Sequence, residues 1–209
     1  MANATPAVGA RGPRGPYRNG IRRRKEIVDV ALEVFGEFGY VGGSIRTIAE
    51  RAGVSPATLL QHFGSKEGLL GAVLEEWGRR TTRASLNGVF GLDYFRHYPQ
   101  LMEFHRENRG LLELFLTIAA DATSPTHPAH DFMQRRYADG ITRLSMHLER
   151  AVAAGEVRPL SQAEINREAR LMIAVLDGIE LQWLLDPSTD MVAVVSAYVD
   201  QTIARWQRG

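Results

Sequence analysis

Apolar residues recur at helical spacing along most of this 209-residue chain. The first clear stripe falls on one face of an α-helix and contains Ile27, Val30, Ala31, Val34, Phe35 and Phe38. Strand patterns are scarce. Turn residues and capping serines divide the chain into about nine helical segments, at residues 27–39, 44–52, 55–63, 65–83, 92–108, 110–122, 129–154, 161–185 and 189–207. The pattern therefore predicts an all-α protein.

Residues 44–63, SIRTIAERAGVSPATLLQHF, are the most informative segment. Ser44 and Ser55 each stand where a side chain can cap a short helix, and Pro56 follows at the first helical position. Gly53 can adopt the left-handed conformation that ends a helix. The segment predicts a helix-turn-helix, which presents its second helix to the major groove of DNA. An ordinary pair of packed helices is the alternative.

Charge is unevenly distributed, although the net charge is only +1. Residues 1–83 carry 13 Lys and Arg against 8 Asp and Glu, whereas residues 84–209 carry 12 against 16. A basic first half suits contact with phosphate, and chance clustering is the alternative. Residues 1–20, rich in Gly, Pro, Ala and Arg, are predicted to be a disordered basic arm that either lies along DNA or has no role.

Several classes of protein are disfavoured. The chain has no cysteine, which excludes disulfides and thiolate metal sites. No early apolar run resembles a signal peptide. The most apolar segment, residues 171–185, is too short to span a bilayer and contains two acidic residues. A cytoplasmic protein is therefore expected.

A possible metal site lies in the segment THPAHD, where His127, His130 and Asp131 are close in sequence. Pro128 and the start of a helix explain the same residues as a turn and a cap. We therefore predict neither a metal nor a cofactor.

Residues 22–77 closely resemble the N-terminal domain of the tetracycline-repressor (TetR) family of bacterial regulators. Three motifs occur in the family's order, namely A-x-x-x-F-x-x-x-G-Y, T-I-A-x-x-A-G-V-S and H-F-x-S-K-E-x-L. The later segments HPAHDFMQRRY and LDGIELQWLLDP also look like parts of this family. The resemblance implies a DNA-binding domain over residues 21–81 and a helical ligand-binding and dimerisation domain over residues 82–209.

The resemblance also implies which residues meet DNA. Thr47, His62 and Lys66 are expected to contact phosphates, which give affinity rather than sequence choice. Arg46 faces outward and can reach a phosphate or a base. The exposed part of the recognition helix is expected to contain Pro56, Ala57, Thr58, Leu60 and Gln61.

Some of these residues are open to more than one interpretation. Gln61 can form two hydrogen bonds with adenine, and Thr58 can bond to a base or touch a thymine methyl group. Leu60 stands where family members often have a tyrosine whose hydroxyl meets phosphate. Leu60 cannot donate a hydrogen bond, so it is expected to pack against a thymine methyl group or a sugar. His62 has an alternative role as a helix-end residue satisfied by the backbone.

The middle helices carry more aromatic and apolar residues than a small bundle needs, which allows a pocket between helices. The resemblance places a ligand site among residues 66–185. The candidates are Trp77, Phe95, Met102, His105, Phe115, Phe132, Asp177 and Trp183. For each of them a place in the core is the alternative. His105 is not opposite Glu103 or Glu107 on a helix, so no acid–base pair is expected there.

Two apolar stripes near the end of the chain predict a homodimer through a four-helix bundle. The first stripe contains Met172, Val175, Leu176, Ile179 and Trp183, and the second contains Val192, Val195, Tyr198, Val199, Ile203 and Trp206. Part of each stripe is expected to face its own subunit.

The sequence therefore predicts a dimeric, sequence-specific transcriptional regulator with double-stranded DNA as partner. It is expected to be a repressor that a small, largely apolar effector releases from a palindromic operator by shifting the helix over residues 66–83. An architectural DNA-binding protein with a filled C-terminal bundle is one alternative. An enzyme with an incidental helix-turn-helix is another, but the chain lacks a Gly-rich phosphate loop and a serine elbow.

Overall fold

Ten α-helices and no strand occur in the described residues, 16–85 and 88–208, of this computed structural model. They are α1 (Pro16–Gly42), α2 (Ile45–Arg51), α3 (Pro56–Phe63), α4 (Lys66–Ser85), α5 (Leu92–Arg96), α6 (Tyr98–Glu107), α7 (Arg109–Asp121), α8 (His130–Ala153), α9 (Gln162–Leu185) and α10 (Met191–Gln207). The all-α prediction is confirmed. The count exceeds nine because His97, with φ −89° and ψ 1°, separates α5 from α6. None of these helices is long and apolar enough to cross a membrane.

Helix α1 begins inside the segment that was predicted to be disordered. Residues 16–20 belong to this helix, residues 1–15 lie outside the described ranges, and the end of the arm at residue 20 stays a prediction. Basic side chains that follow the predicted arm form ion pairs along the helix, Arg22 and Arg23 with Glu26, and Lys25 with Asp29. Pairs at this spacing support a helix, so the basic segment continues into an ordered helical face.

A break at Gly39 interrupts α1, because its φ of 68° and ψ of 177° are not helical. Glycine adopts such a conformation at little cost, which agrees with the predicted end of the first helix. Phe38 precedes the break and, unlike most of its stripe, is 46% exposed. The guanidinium of Arg51 lies 5.2 Å from the centre of its ring.

Helices α2 and α3 form the predicted helix-turn-helix. The backbone N–H of Thr47 donates to Oγ of Ser44, and that of Thr58 donates to Oγ of Ser55, both at 3.0 Å. These are the two predicted N-caps. Gly53 in the connecting turn has a φ of 62°. The pair is anchored by three buried side chains, Ile48, Ala49 and Leu59.

A first hydrophobic core combines α1 to α4 with α7. Helix α7 lies beyond the predicted boundary at residue 81, yet Leu111, Leu114 and Phe115 belong to this core. Gly36 and Gly110 let α1 and α7 approach closely, because a Cβ on Gly110 would overlap the carbonyl oxygen of Gly36. The first core therefore extends across the predicted boundary, whose position stays a prediction.

A second hydrophobic core combines α5, α6, α8, α9 and α10, with Leu112 of α7. The predicted capping box of α9 is present, because Ser161 N donates to Oε2 of Glu164 at 2.9 Å and Glu164 N donates to Oγ of Ser161 at 3.3 Å. Glu168, buried in α9, accepts two hydrogen bonds from Arg205 of α10. Helices α9 and α10 are thus fixed to one another within the subunit.

Most residues of the two stripes predicted to form the dimer surface fill this second core instead. The buried ones are Met172, Leu176, Ile179 and Trp183 on α9 and Val195, Val199, Ile203 and Trp206 on α10. A different apolar set stays exposed on the same two helices, namely Leu171, Leu181, Leu185 and Val194. A dimer surface on α9 and α10 would therefore use this second set.

Candidate DNA interface and ligand cavity

The outer surface of the helix-turn-helix contains both polar and apolar side chains. On α3, Pro56, Ala57, Leu60 and Gln61 are exposed, and Arg46 is exposed on α2. Leu59, between them, is fully buried. The exposed residues are those assigned to the recognition surface, and their contacts with DNA stay a prediction.

The hydroxyls of Thr47 and Thr58 take part in the caps. Oγ1 of Thr47 lies 2.8 Å from Oγ of Ser44, and Oγ1 of Thr58 lies 2.9 Å from Oγ of Ser55. A hydroxyl has one proton to donate. Each threonine can therefore donate to a phosphate or a base only when the serine is the donor within the cap.

Lys66, at the start of α4, is half-buried beside the end of α1. Its Nζ lies 3.5 Å from the carbonyl oxygen of Val41 and 4.4 Å from the centre of the Tyr40 ring. Burial lowers the pKa of Lys66 from its ordinary value, while the charge of Glu67 opposes the shift. An ammonium has three N–H groups, so two remain for a phosphate while one faces Val41.

The hydroxyl of Tyr40 donates to Oε1 of Glu67 at 3.1 Å, and burial followed by the charge of Glu67 raises the pKa of Tyr40 to about 12. This bond ties the segment after the Gly39 break to the first turn of α4. It therefore positions the neighbouring Lys66.

A further cation stands beside the recognition helix. The guanidinium of Arg24 lies 4.9 Å from the centre of the Phe63 ring, next to half-buried His62. Arg24 was not among the residues predicted to contact DNA. Arg24 lies seven residues before Ala31 on the same helix, so the two side chains lie on the same helical face. This spacing was the sign in the sequence that Arg24 faces the motif.

A cavity of about 1160 Å³ opens among helices α4 to α9. Five of the eight ligand candidates line it, namely Trp77, His105, Phe115, Phe132 and Asp177. The other three do not line the cavity and lie in the core, which was the alternative for each candidate. Phe95 packs edge-on against Trp206 with ring centres 4.9 Å apart, Met102 is fully buried, and Trp183 is 6% exposed beneath Arg109.

An unexpected acid–imidazole pair lies in the cavity wall. Nδ1 of His105 on α6 lies 2.6 Å from Oε1 of Glu180 on α9, and both side chains are buried. This corrects the expectation that His105 has no acid partner. No group of the described residues hydrogen-bonds Nε2 of His105, and its ring stacks on Trp77 with centres 5.4 Å apart. A polar atom in the wall is therefore left for a ligand.

A second polar pair joins α8 to α9. The hydroxyl of Tyr137 donates to Oδ2 of Asp177 at 2.8 Å. Burial raises the pKa of Asp177 to about 6, although the hydrogen bond from Tyr137 opposes the shift. Burial and the Asp177 charge together raise the pKa of Tyr137. Tyr137 is a cavity residue that the apolar pattern did not single out.

Aromatic rings form another part of the wall. The rings of Tyr94 and His147 stack with centres 3.8 Å apart and an angle of 8° between them. Burial, with the charges of Arg150 and Arg143, lowers the pKa of His147. These residues come from α5 and α8, and only the tertiary fold brings them together.

Arginines also line the cavity along α8. Arg136 lies with its guanidinium 4.5 Å from the centre of the Phe115 ring, and Nη1 of Arg143 donates to Oγ1 of Thr82 at 3.3 Å. The guanidinium of Arg150 lies 5.0 Å from the Phe90 ring. The three arginines are spaced by seven residues in the sequence, but this spacing does not by itself show that they face a cavity.

The two histidines of the THPAHD segment contact backbone groups. Ala129 N donates to Nδ1 of His127 at 3.1 Å, and Nδ1 of His130 lies 2.8 Å from the carbonyl oxygen of Ala122. Within the described ranges, no three His, Asp or Glu side chains are grouped as a metal site.

Comparison with known proteins assigns both halves of the chain. Residues 27–73 match the model of bacterial regulatory proteins of the tetR family, and residues 99–204 match the C-terminal model of BetI-type transcriptional repressors. These matches cover the helix-turn-helix and the helices that surround the cavity.

Curated relatives agree. The chain is 41% identical over 182 residues to the HTH-type transcriptional activator FasR of Mycolicibacterium smegmatis, which covers 75% of this chain and 80% of that protein. It is 30% identical over 107 residues to the HTH-type transcriptional repressor KstR2 of Rhodococcus jostii, which covers 51% of this chain and 46% of the relative.

A crystal structure of a TetR transcriptional regulator from Chloroflexus aurantiacus has the same fold. The TM-score is 0.72 at 20% identity, over 90% of this chain and 96% of that one. Taken with the two family models and the similarity to FasR, this makes the chain a DNA-binding transcriptional regulator of the TetR family.

Proposed function

We propose that this regulator is a homodimeric repressor that leaves a palindromic operator when a small molecule fills the cavity. The observation that carries the proposal is the cavity of about 1160 Å³, whose walls include residues of α4 and α7. Both helices belong to the same core as the helix-turn-helix. An architectural protein with a filled C-terminal bundle would have no such cavity.

On the DNA side, the proposal assigns base contacts to the exposed residues of α3. Gln61 can pair with adenine through both atoms of its amide, and Leu60 offers an apolar contact to a thymine methyl group. Thr47, Thr58, His62 and Lys66 supply polar contacts around these bases, with Arg46 at the side. Pro56 and Ala57 are small enough to let the start of α3 approach the groove closely. The site of action is chromosomal DNA in the cytoplasm.

On the dimer side, the proposal uses the exposed apolar face of α9. Leu171, Leu181 and Leu185 follow one helical stripe together with Ala174 and Gly178. A Cβ on Gly178 would meet nothing within 4 Å, so this face has room for a close partner helix. Val194 of α10 extends the surface. Burying such a face in a two-fold four-helix bundle removes apolar area from water.

The proposed coupling runs through two helices. Trp77 lines the cavity and lies in α4, the helix that begins with Lys66. Phe115 lines the cavity and lies in α7, the helix that contacts α1 at Gly110. A ligand that binds one arrangement of these helices better than another shifts the population and thereby changes DNA affinity, typically by about 1–3 kcal/mol.

Selection of bound duplexes from a random pool tests this proposal. The purified full chain should enrich a palindrome whose half-site centres are about 10 base pairs, or a multiple of that, apart, because a two-fold dimer places two recognition helices about 34–36 Å apart or at multiples. Enrichment of a single half-site would contradict the dimeric arrangement. Absence of any enriched sequence at low salt would contradict the proposed operator itself.

A further inference from the structure

Three arginines of α8 follow one face of the helix that borders the cavity. Arg136, Arg143 and Arg150 are spaced by seven residues, close to two turns, and all three line the cavity wall. The wall contains six arginines against four Asp and Glu. One of the six, Arg79, is paired with Glu76 outside the wall, which leaves an excess of one positive charge with the histidines neutral. The cavity is therefore positively charged although its surroundings include many apolar rings.

Arg136 has no carboxylate partner among the described residues. The guanidinium of Arg136 stacks on Phe115, and no Asp or Glu of the described residues lies within 4 Å of it. Gly78 of α4 leaves room for this side chain, because a Cβ there would lie 2.6 Å from Nη1 of Arg136. Removing a cation from water without a counter-ion is unfavourable.

A second guanidinium increases this cost. Burial first, and the charge of Arg143 second, lower the pKa of Arg136 from its ordinary value. Among the described residues, the exposed guanidinium of Arg143 hydrogen-bonds to the neutral hydroxyls of Thr82 and Tyr94. The guanidinium groups of Arg136 and Arg143 thus both face the cavity, and no carboxylate of the described residues lies between them.

The acids of the inner wall already have partners. Glu180 binds Nδ1 of His105, and Asp177 accepts from Tyr137. They act on Arg136 only as more distant charges. An anionic group of a ligand would therefore meet two arginines that no acid of the described wall pairs with.

We propose that the cavity binds an organic anion, whose carboxylate or phosphate group lies between Arg136 and Arg143 and whose apolar body lies against Trp77, Phe115 and Phe132. Guanidinium groups bind such oxygens through paired hydrogen bonds. The inference rests on the proposed function, in which this cavity holds the effector, and it specifies the chemical class of that effector.

A pair of fluorescent probes tests the charge preference on the full chain. 1-Anilinonaphthalene-8-sulfonate and N-phenyl-1-naphthylamine have the same ring system, and only the first carries an anionic group. Titration followed by fluorescence should show one site per chain, with the sulfonate bound about tenfold or more tightly than the neutral amine. Decanoate and decyl phosphate, added separately, should each displace the bound sulfonate, and the stronger competitor shows whether a carboxylate or a phosphate is preferred. Decanol, which has no anionic group, should displace the sulfonate poorly.

Substitutions of Arg136 test whether this arginine causes the preference for the anionic probe. Arg136→Gln should weaken binding of the sulfonate about tenfold, the effect of losing one charge-assisted contact, and should leave the neutral amine within twofold. Arg136→Lys should restore most of the loss because it keeps the charge. Arg106→Gln is the matched control, since Arg106 is exposed on α6, pairs with Glu103 and lies outside the cavity wall.

Three results would overturn the inference. They are equal affinity of the unmodified protein for both probes, an equal loss for both probes in Arg136→Gln, and no binding of either probe. Operator binding is measured on the same preparations without probe. If the protein does not bind an operator, the proposed function as a repressor is contradicted. If it binds the operator but shows no preference for the anionic probe, only the proposal of an anionic effector is contradicted.

Discussion

The carbonyl oxygen of Gly36 in α1 lies against the α-carbon of Gly110 in α7, in the space that any larger residue at 110 would need for its Cβ. A Cβ on Gly36 would in turn lie 3.1 Å from Cδ2 of Leu111. This backbone contact joins the helix that supports the DNA-binding motif to the helix that carries Phe115 in the cavity wall.

The contact predicts that Gly110→Ala destabilises the protein. The added methyl group meets backbone rather than a movable side chain, and overpacking of this kind typically costs about 1–3 kcal/mol. Urea unfolding of the variant and the unmodified protein measures the difference. Gly71→Ala is the control, because a Cβ at Gly71 in α4 would meet nothing within 4 Å. This control should be stabilised by about 0.5–1 kcal/mol, and equal stability of the two variants would contradict the close approach.

The raised pKa of Asp177 predicts a pH effect of defined sign. Its folded value is about 6 against an ordinary 3.8, so the folded state binds more protons than the unfolded state between these values. Asp177 therefore lowers stability increasingly as pH rises from about 4 to about 6, and by a constant amount above that.

Asp177→Asn removes this titration while it keeps an oxygen for the Tyr137 hydroxyl. The stability of the variant relative to the unmodified protein should rise by about 1–3 kcal/mol between pH 4 and pH 6.5. Denaturant unfolding at a series of pH values provides the measurement. A difference that does not change with pH, or that falls, would show that Asp177 is not destabilised by burial.

Base recognition by α3 predicts a selective loss in Gln61→Ala. The variant should bind the selected operator more weakly by about 1–3 kcal/mol and bind unrelated DNA with unchanged affinity. Fluorescence anisotropy with both duplexes at one salt concentration separates the two effects. Gln134→Ala, an exposed change on α8, should alter neither. Equal weakening on both duplexes would assign Gln61 to phosphate instead.

The exposed apolar face of α9 predicts that Leu181→Arg yields a monomer. Leu181 is 50% exposed in the single chain, and a buried arginine without a partner would oppose association. Light scattering should report 23.2 kDa for the variant and twice this mass for the unmodified protein. Ile21→Arg, at a residue of α1 that is 55% exposed, should remain a dimer. If Leu181→Arg is a dimer as well as Ile21→Arg, the dimer interface does not lie on this face of α9.

Local features were predictable from the sequence because their partners lie within a few residues. The caps at Ser44 and Ser55 and the box formed by Ser161 and Glu164 depend on groups three residues away. The family motifs likewise lie in one continuous stretch, so the helix-turn-helix and the all-α class could be assigned before any coordinates.

Cavity chemistry was less predictable because it depends on residues far apart in the chain. His105 and Glu180 are 75 residues apart, and neither position has a local sign of the other. An aromatic residue type cannot distinguish a wall from a core, so Phe115 and Phe95 looked alike although only Phe115 lines the cavity. The residues of the exposed face of α9 could not be separated from the rest of this apolar helix, because the stronger apolar stripe on it belongs to the core.

The length of α4 has a mechanical consequence. Trp77 is held at one point of this helix by stacking on Phe104 and His105, with ring centres 5.3 and 5.4 Å away. Lys66 lies eleven residues earlier, about 16 Å along the axis at ~1.5 Å per residue. A tilt of about 5° around the indole would swing the ammonium end by about 1.4 Å, several times the spread of lengths that a hydrogen bond tolerates. A small rotation at the indole is thereby amplified into a displacement large enough to misalign a phosphate contact.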